Sequence, residues 1–209
     1  MVQIKICGIT NLADARAAVE AGADALGFNF YRRSPRFIAP AAAHEIIAQL
    51  PPRVLTVGVF VNETEPAQVV RIAAESGVAA VQLHGEESPD YCAALAGQKV
   101  IKALRVGDSF TPEQAARYRT HAILLDAFSP HAHGGTGRAF DWSLARRTRE
   151  LVPRLFLAGG LTPENVGAAI AAVRPFAVDV CSGVEAAPGR KDVNKLRAFA
   201  AAVRESKLT

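Results

Sequence analysis

Only three cysteines occur in the 209 residues, Cys7, Cys92 and Cys181. They cannot all pair, lie far apart and form neither a CxxC motif nor a Cys/His cluster, which argues against a disulfide framework and a structural zinc site. Reduced thiols are expected. No stretch approaches the roughly 20 apolar residues of a membrane span, and the apolar run in MVQIKICGIT is too short for a signal-peptide core. A cytoplasmic protein with no membrane association is expected. A linker, a low-complexity break and an aromatic platform beside the basic residues are missing too. The densest basic group, Arg146, Arg147 and Arg149, falls on a predicted helix and reads as a solvated face, so no nucleic-acid partner is expected.

Half the residues are hydrophobic and 21% are charged, with a formal net charge of +4 that suits an anionic small molecule. The length buries one substantial core, so residues 1–209 are expected to form a single domain. Short β-rich apolar runs alternate with alanine-rich amphipathic stretches to the end of the chain. Strands are predicted over 3–7, 25–30, 55–61, 80–84, 100–104, 122–126, 155–158 and 177–181. Helices are predicted over 11–21, 41–50, 66–76, 89–96, 112–118, 142–151, 163–173 and 193–205. Thr10 or Asn11 can cap the first helix; Ser88-Pro89, Thr111-Pro112 and Thr162-Pro163 set a cap before a proline, and Gly22 and Gly77 follow helix ends. Strands covered on both faces read as nearly continuous apolar runs, and eight βα units predict an α/β fold, a single-domain (β/α)8 TIM barrel. An open doubly wound sheet would also accommodate this alternation.

In a barrel of this kind the chemistry sits at the C-terminal ends of the strands, where Cys7, Asn29, Asn62, His84, Arg105, Asp126 and Ser182 fall. The seventh and eighth loops, AGGLTPEN and CSGVEAAPGRKD, offer Gly159, Gly160, Ser182 and Gly183 as candidates for holding a phosphate by backbone N–H groups. Cys7 is a candidate base, activated by a neighbour such as Lys5, which shares its strand parity. Asp126 ends an apolar strand and is a candidate general acid. In FYRRSPRFIAP, Arg36 can grip a substrate carboxylate in a bidentate pair while Phe37 flanks an aromatic ring. His131 and His133, without carboxylate partners, fall short of a metal site, so no metal is expected.

The segments KICGIT, GFNFYRRSPRFI, VGVFVN, VQLHG, LLD followed by GGTGRAFDW, LAGGLTPENV and VDVCSGVEAAPGRKD stand together in one order. In that order the chain closely resembles the phosphoribosylanthranilate isomerases of tryptophan biosynthesis, from KICGIT to the final helix. The resemblance implies an Amadori rearrangement of a phosphorylated small-molecule substrate without a cofactor. It implies Asp126 as the general acid on the furanose oxygen, Cys7 as the base that removes the C2 proton, and Arg36 on the anthranilate carboxylate. It also implies Asp179 at the sugar hydroxyls, and the phosphate on Gly160 and the Ser182–Gly183 backbone. Monomer or homodimer is the expected state. Three other functions compete with this one. A metal-dependent sugar-phosphate epimerase needs His and Asp ligands at several strand ends, whereas only His84 is well placed. The isomerase of histidine synthesis and a non-catalytic phosphate-metabolite sensor would use the same phosphate-binding barrel.

Overall fold

The computed structural model describes residues 1–95, 97–107, 109–126 and 142–206. Eight parallel strands close into a barrel in sequence order: β1 (Gln3–Ile6), β2 (Ala25–Asn29), β3 (Leu55–Phe60), β4 (Ala80–Leu83), β5 (Val100–Arg105), β6 (Ala122–Asp126), β7 (Leu155–Ala158) and β8 (Ala177–Val180). The open sheet is thereby excluded, because β1 pairs with β8 as well as with β2. The helices that follow the strands are α1 (Leu12–Ala21), α2 (Pro40–Ile47), α3 (Pro66–Ser76), α4 (Pro89–Ala93), α5 (Pro112–Ala116), α6 (Trp142–Leu151), α7 (Val166–Val173) and α8 (Val193–Glu205). No helix among the described residues is long and apolar enough to cross a membrane.

Alternation along the strands makes two cores. One side chain set, including Val57, Ile101, Ala103, Leu124, Phe156 and Ala177, fills the barrel interior. The other, including Ile4, Ile6, Leu26, Phe28, Leu83, Val178 and Val180, meets the helices. Because these interior residues are small or apolar, the polar ones among them mark the mouth where solvent and ligand enter.

The differences from the predicted boundaries lie at the element ends. Several predicted strands stop one residue earlier, before Cys7, Phe30, Val61, His84 and Cys181, because those residues already turn into the loops of the mouth. Asn11 caps α1 through its side chain, which accepts from the Asp14 N–H at 2.8 Å. Thr162, expected as a cap, does not start α7. Its carbonyl accepts from the amides of Asn165 and Val166, and the Asn165 side chain reaches back to Thr162 N–H and Gly160 O, so a turn precedes the helix. A short antiparallel hairpin of β9 (Glu185–Ala187) and β10 (Arg190–Lys191), which the apolar patterning does not predict, stands between β8 and α8.

Candidate active site

A cavity of about 230 Å³ opens at the C-terminal mouth and is lined by Cys7, Arg36, Gln82, His84, Asp126 and Asp179, among others. Gly159, Gly160, Ser182 and Gly183 line it as well. Phe37, expected to flank an aromatic ring, lines a separate hollow of about 470 Å³ with Arg32 and Arg33, whereas the catalytic, carboxylate, sugar and phosphate candidates all face this one space. Of the wider ring of polar strand ends, Asn29 also lines it. Asn62 and Arg105 do not. Asn62 adopts a left-handed backbone (φ 54°), and its carboxamide accepts from the Glu86 N–H, so it braces a loop. Arg105 lines a neighbouring hollow of about 400 Å³ with Arg117 and Tyr118. His131, His133 and the GGTGRAFD segment lie outside the described residues.

The base side is built across the seam between β1 and β8. Lys5 and Asp179 are register partners, and Lys5 Nζ donates to Asp179 Oδ1 at 2.8 Å with both side chains buried. Strand parity sets Cys7 above Lys5. Room for both comes from Gly27 on β2, where a Cβ would stand only 2.8 Å from Cys7 Sγ and 3.2 Å from Lys5 Nζ. The neighbouring Cys181 thiol and the charges of Lys5 and Lys191 hold the Cys7 thiol well below its ordinary range, against the opposing effect of burial. Burial pushes the Asp179 carboxyl up to about 6, and the Cys7 charge adds to that, while Lys5 restrains it. For Lys5, burial favours the neutral amine, yet Asp179 and Cys7 outweigh it and raise its pKa.

The acid side is less enclosed. Asp126 and His84 are each about 24% exposed, and Asp126 Oδ2 lies 3.3 Å from His84 Nε2. The other ring nitrogen, Nδ1, meets the Gln82 amide Nε2 at 3.0 Å. With the amide donating, Nδ1 is the acceptor and Nε2 carries the proton toward Asp126. Gln82 is fully buried, and its Oε1 has no partner among the described residues. The loop that carries His84 is fixed from below by a buried ion pair. Lys102 donates to Glu87 Oε2 and to the Gly85 carbonyl, both at 2.6 Å, and Glu87 accepts from the amides of Asn62 and Gly85.

The β9–β10 hairpin supplies what sequence reasoning missed. Glu185 takes Arg36 in a bidentate pair, Nε at 2.9 Å and Nη2 at 2.7 Å. Lys191 Nζ donates to Glu185 at 3.0 Å and to the Cys7 carbonyl at 2.6 Å. The fork that was expected for a substrate carboxylate is thus already engaged by the protein, although Arg36 stays on the cavity wall. Two cations against one carboxylate leave this corner with one net positive charge. The only signal in the sequence was the polarity of Glu185, Arg190 and Lys191 inside a loop already assigned to phosphate. At the cradle itself, Gly159 and Gly160 take φ values of 90° and 64°, which L side chains rarely adopt. Gly183 packs so tightly on the carbonyl of Leu161 that a Cβ would collide with it. These positions bring the two loops together at the rim.

A parallel eight-stranded barrel whose mouth sets a thiol and a carboxylate around a cavity with a glycine-rich double loop defines a barrel enzyme of the acid–base class. Over residues 4–202 the chain matches the family described as N-(5'phosphoribosyl)anthranilate (PRA) isomerase. It is 53% identical over 208 residues to the N-(5'-phosphoribosyl)anthranilate isomerase of Pelobacter propionicus, covering 99% of this chain and 98% of that one. To the Thermotoga maritima protein of the same name it is 52% identical over 200 residues, covering 95% and 97%. The crystal structure of phosphoribosyl anthranilate isomerase from Thermotoga maritima superposes with a TM-score of 0.90 at 50% identity over the whole of both chains. A structure of the isomerase in complex with reduced 1-(o-carboxyphenylamino)-1-deoxyribulose 5-phosphate gives 0.88 at 48%, over 98% of this chain and 100% of that one. The chain belongs to the N-(5'-phosphoribosyl)anthranilate isomerase family.

Proposed function

We propose that the protein catalyses the Amadori rearrangement of N-(5-phosphoribosyl)anthranilate to 1-(2-carboxyphenylamino)-1-deoxyribulose 5-phosphate, a step of tryptophan biosynthesis, with Asp126 as acid and Cys7 as base. The observation that carries this reading is that one cavity holds both groups, with Lys5 and Lys191 near the thiol to favour its ionised form. Family membership supports the substrate, and the shared cavity supports the roles.

Asp126 delivers a proton to the furanose ring oxygen, and the C1–O bond breaks as the anilino nitrogen pushes in its lone pair. The resulting iminium makes the C2–H acidic, so a thiolate of modest basicity suffices to remove that proton. The Cys7 thiolate takes it, giving an enolamine that tautomerises to the ketone. Electron demand comes from the substrate's own C=N bond, and the reaction is redox-neutral within one molecule. Asp179, held by Lys5, faces the sugar hydroxyls. Gly159, Gly160, Ser182 and Gly183 take the phosphate on their backbone. Arg36, with Nε and Nη2 given to Glu185, offers Nη1 and the net charge of its corner to the anthranilate carboxylate. The work of binding rests on fixed groups at the rim, and the proton transfers rest on two groups across the cavity.

The test is direct. Loss of substrate fluorescence is followed for the wild type, Cys7→Ser, Asp126→Asn and Arg36→Ala. Each of the first two folds normally and loses about 10²–10⁴-fold in kcat, the contribution of one positioned acid or base. Arg36→Ala chiefly raises KM. Wild-type turnover in either Cys7→Ser or Asp126→Asn refutes the assignment. Turnover that persists with EDTA present separates this reading from a metal-dependent epimerase.

A further inference from the structure

Lys191 has no part in the steps just described, and neither it nor Glu185 lines the cavity. Its side chain is sealed, at 0% exposure. Lys191 Nζ lies 2.6 Å from the Cys7 carbonyl, 3.0 Å from Glu185 Oε1 and 3.3 Å from the Cys181 carbonyl, with Cys181 Sγ next at 3.9 Å. Three oxygen acceptors match the three N–H donors of an ammonium, so the nitrogen carries its charge and has no donor left for a ligand.

The use of a cation that no ligand can touch follows from what Glu185 does to Arg36. The Arg36 stem runs across Gly8, where a Cβ would stand 2.7 Å from Cδ, and its Nε and Nη2 are given to Glu185. Nη1 has no hydrogen bond among the described residues, and the side chain is 22% exposed on the cavity wall. The guanidinium is thus well aimed, but a bidentate pair with one carboxylate is neutral as a whole. An incoming carboxylate would meet the attraction of Arg36 and, just behind it, the repulsion of Glu185. Lys191, bonded to the same Glu185 oxygen in a buried corner, offsets that repulsion.

We propose that Lys191 is a specificity-determining residue that acts through Glu185 and Arg36: by offsetting Glu185 it leaves Arg36 the net charge with which to select a ligand bearing an aryl carboxylate. The proposal rests on Arg36 as the group that meets that carboxylate. The hairpin backbone does not depend on the ammonium. Lys191 N–H donates to Asp14 Oδ2 at 2.8 Å, Asp192 N–H to the Val184 carbonyl at 2.9 Å, and Thr10 Oγ1 to the Gly189 carbonyl at 2.6 Å. Lys191→Met therefore changes the charge of the corner and leaves the Arg36–Glu185 pair in place.

The experiment measures binding, so it stands apart from turnover. Calorimetric titration uses reduced 1-(o-carboxyphenylamino)-1-deoxyribulose 5-phosphate, the compound bound in the related isomerase structure, and its counterpart lacking the ring carboxyl. The ratio of the two Kd values is the discrimination, and in the wild type the carboxylated compound binds more tightly. Lys191→Met takes the corner from one net positive charge to none, and the ratio falls about tenfold, the effect of one charge acting over several ångströms near a protein surface. The Kd of the counterpart stays near the wild-type value. Combining Lys191→Met with Glu185→Gln puts one net positive charge back, on Arg36, while the amide oxygen still accepts from the guanidinium, and the ratio returns toward wild type. A merely structural Lys191 behaves otherwise: both Kd values weaken together and the second substitution deepens the loss. That pattern, or an unchanged ratio in Lys191→Met, overturns the proposal. Equal Kd values in the wild type are a different failure, one that removes the carboxylate role of Arg36 and the proposal with it.

Discussion

The two walls of the cavity are built on opposite plans. The β1–β8 wall is a lattice of fixed charge: Lys5, Asp179, Glu185 and Lys191 are all buried, and the thiol sits among them. The β4–β6 wall offers a carboxylate, an imidazole and an amide, with Asp126 and His84 a quarter exposed. The difference follows from what each group must do before substrate arrives. A base has to wait as an anion, which requires cations close by and water kept away. An acid has to regain its proton after each turnover, which requires a neighbour that donates without a permanent charge and a path to solvent.

This contrast is broken most severely at Lys5. Lys5→Met leaves Asp179 buried without its partner, and stability falls by about 3–5 kcal/mol in urea unfolding, with loss of the Cys7 thiolate signal. Adding Asp179→Leu recovers much of the stability and none of the activity. A full recovery of turnover in the double variant would show that the charge lattice serves only the fold.

A comparable loss of stability with a different signature is expected on the other wall. Lys102→Met strands the Glu87 carboxylate and loosens the loop that carries His84, yet the Cys7 titration stays in place, because Lys102 is not among the groups acting on Cys7. The Glu87 carboxyl is held below its ordinary range: burial works against its charge, and Lys102 with the amide of Asn62 and its own outweighs that. A lowered folded-state pKa means stability that is present above the usual carboxylate value and lost as pH falls through the folded value. Unfolding midpoints of the wild type therefore drop on acidification, and Glu87→Gln, less stable at neutral pH, follows a flatter curve. A steeper curve for Glu87→Gln would clear Glu87 of any part in the acid sensitivity.

The smallest expected effect sharpens the comparison. Gln82→Leu removes the amide that fixes the His84 ring and replaces an orphaned oxygen with an apolar group, so stability changes by about 1 kcal/mol or less. Turnover falls about tenfold, with the shift confined to the limb of the pH profile set by the acid, since the Nε2 proton facing Asp126 is no longer dictated from behind. A change in KM alone would instead make Gln82 a binding group.

Much of this was legible in the sequence because the signals were local. Period-two apolar runs, cap-proline pairs and glycine stops mark out eight βα units, and the strand-end rule then collects Cys7, Asp126, Arg36 and the double loop at one mouth. The shortfall lay in pairings. That Arg36 would be engaged by Glu185 and that Lys102 would hold Glu87 depend on partners 149 and 15 positions away whose meeting is decided by the closed barrel, whereas the Thr162 turn is a local competition in which the Asn165 side chain takes the Thr162 N–H. Cys181 is the clearest case. In the sequence it is an isolated thiol 174 residues from Cys7, and only the rung shared by the first and last strands makes them neighbours.

That rung has a consequence for synthesis on the ribosome. The first strand emerges early, but Asp179, Cys181 and the Lys191 ammonium that clamps the Cys7 carbonyl belong to the last fifth of the chain. The Cys7 sulfur gains this company only when the first and last strands meet.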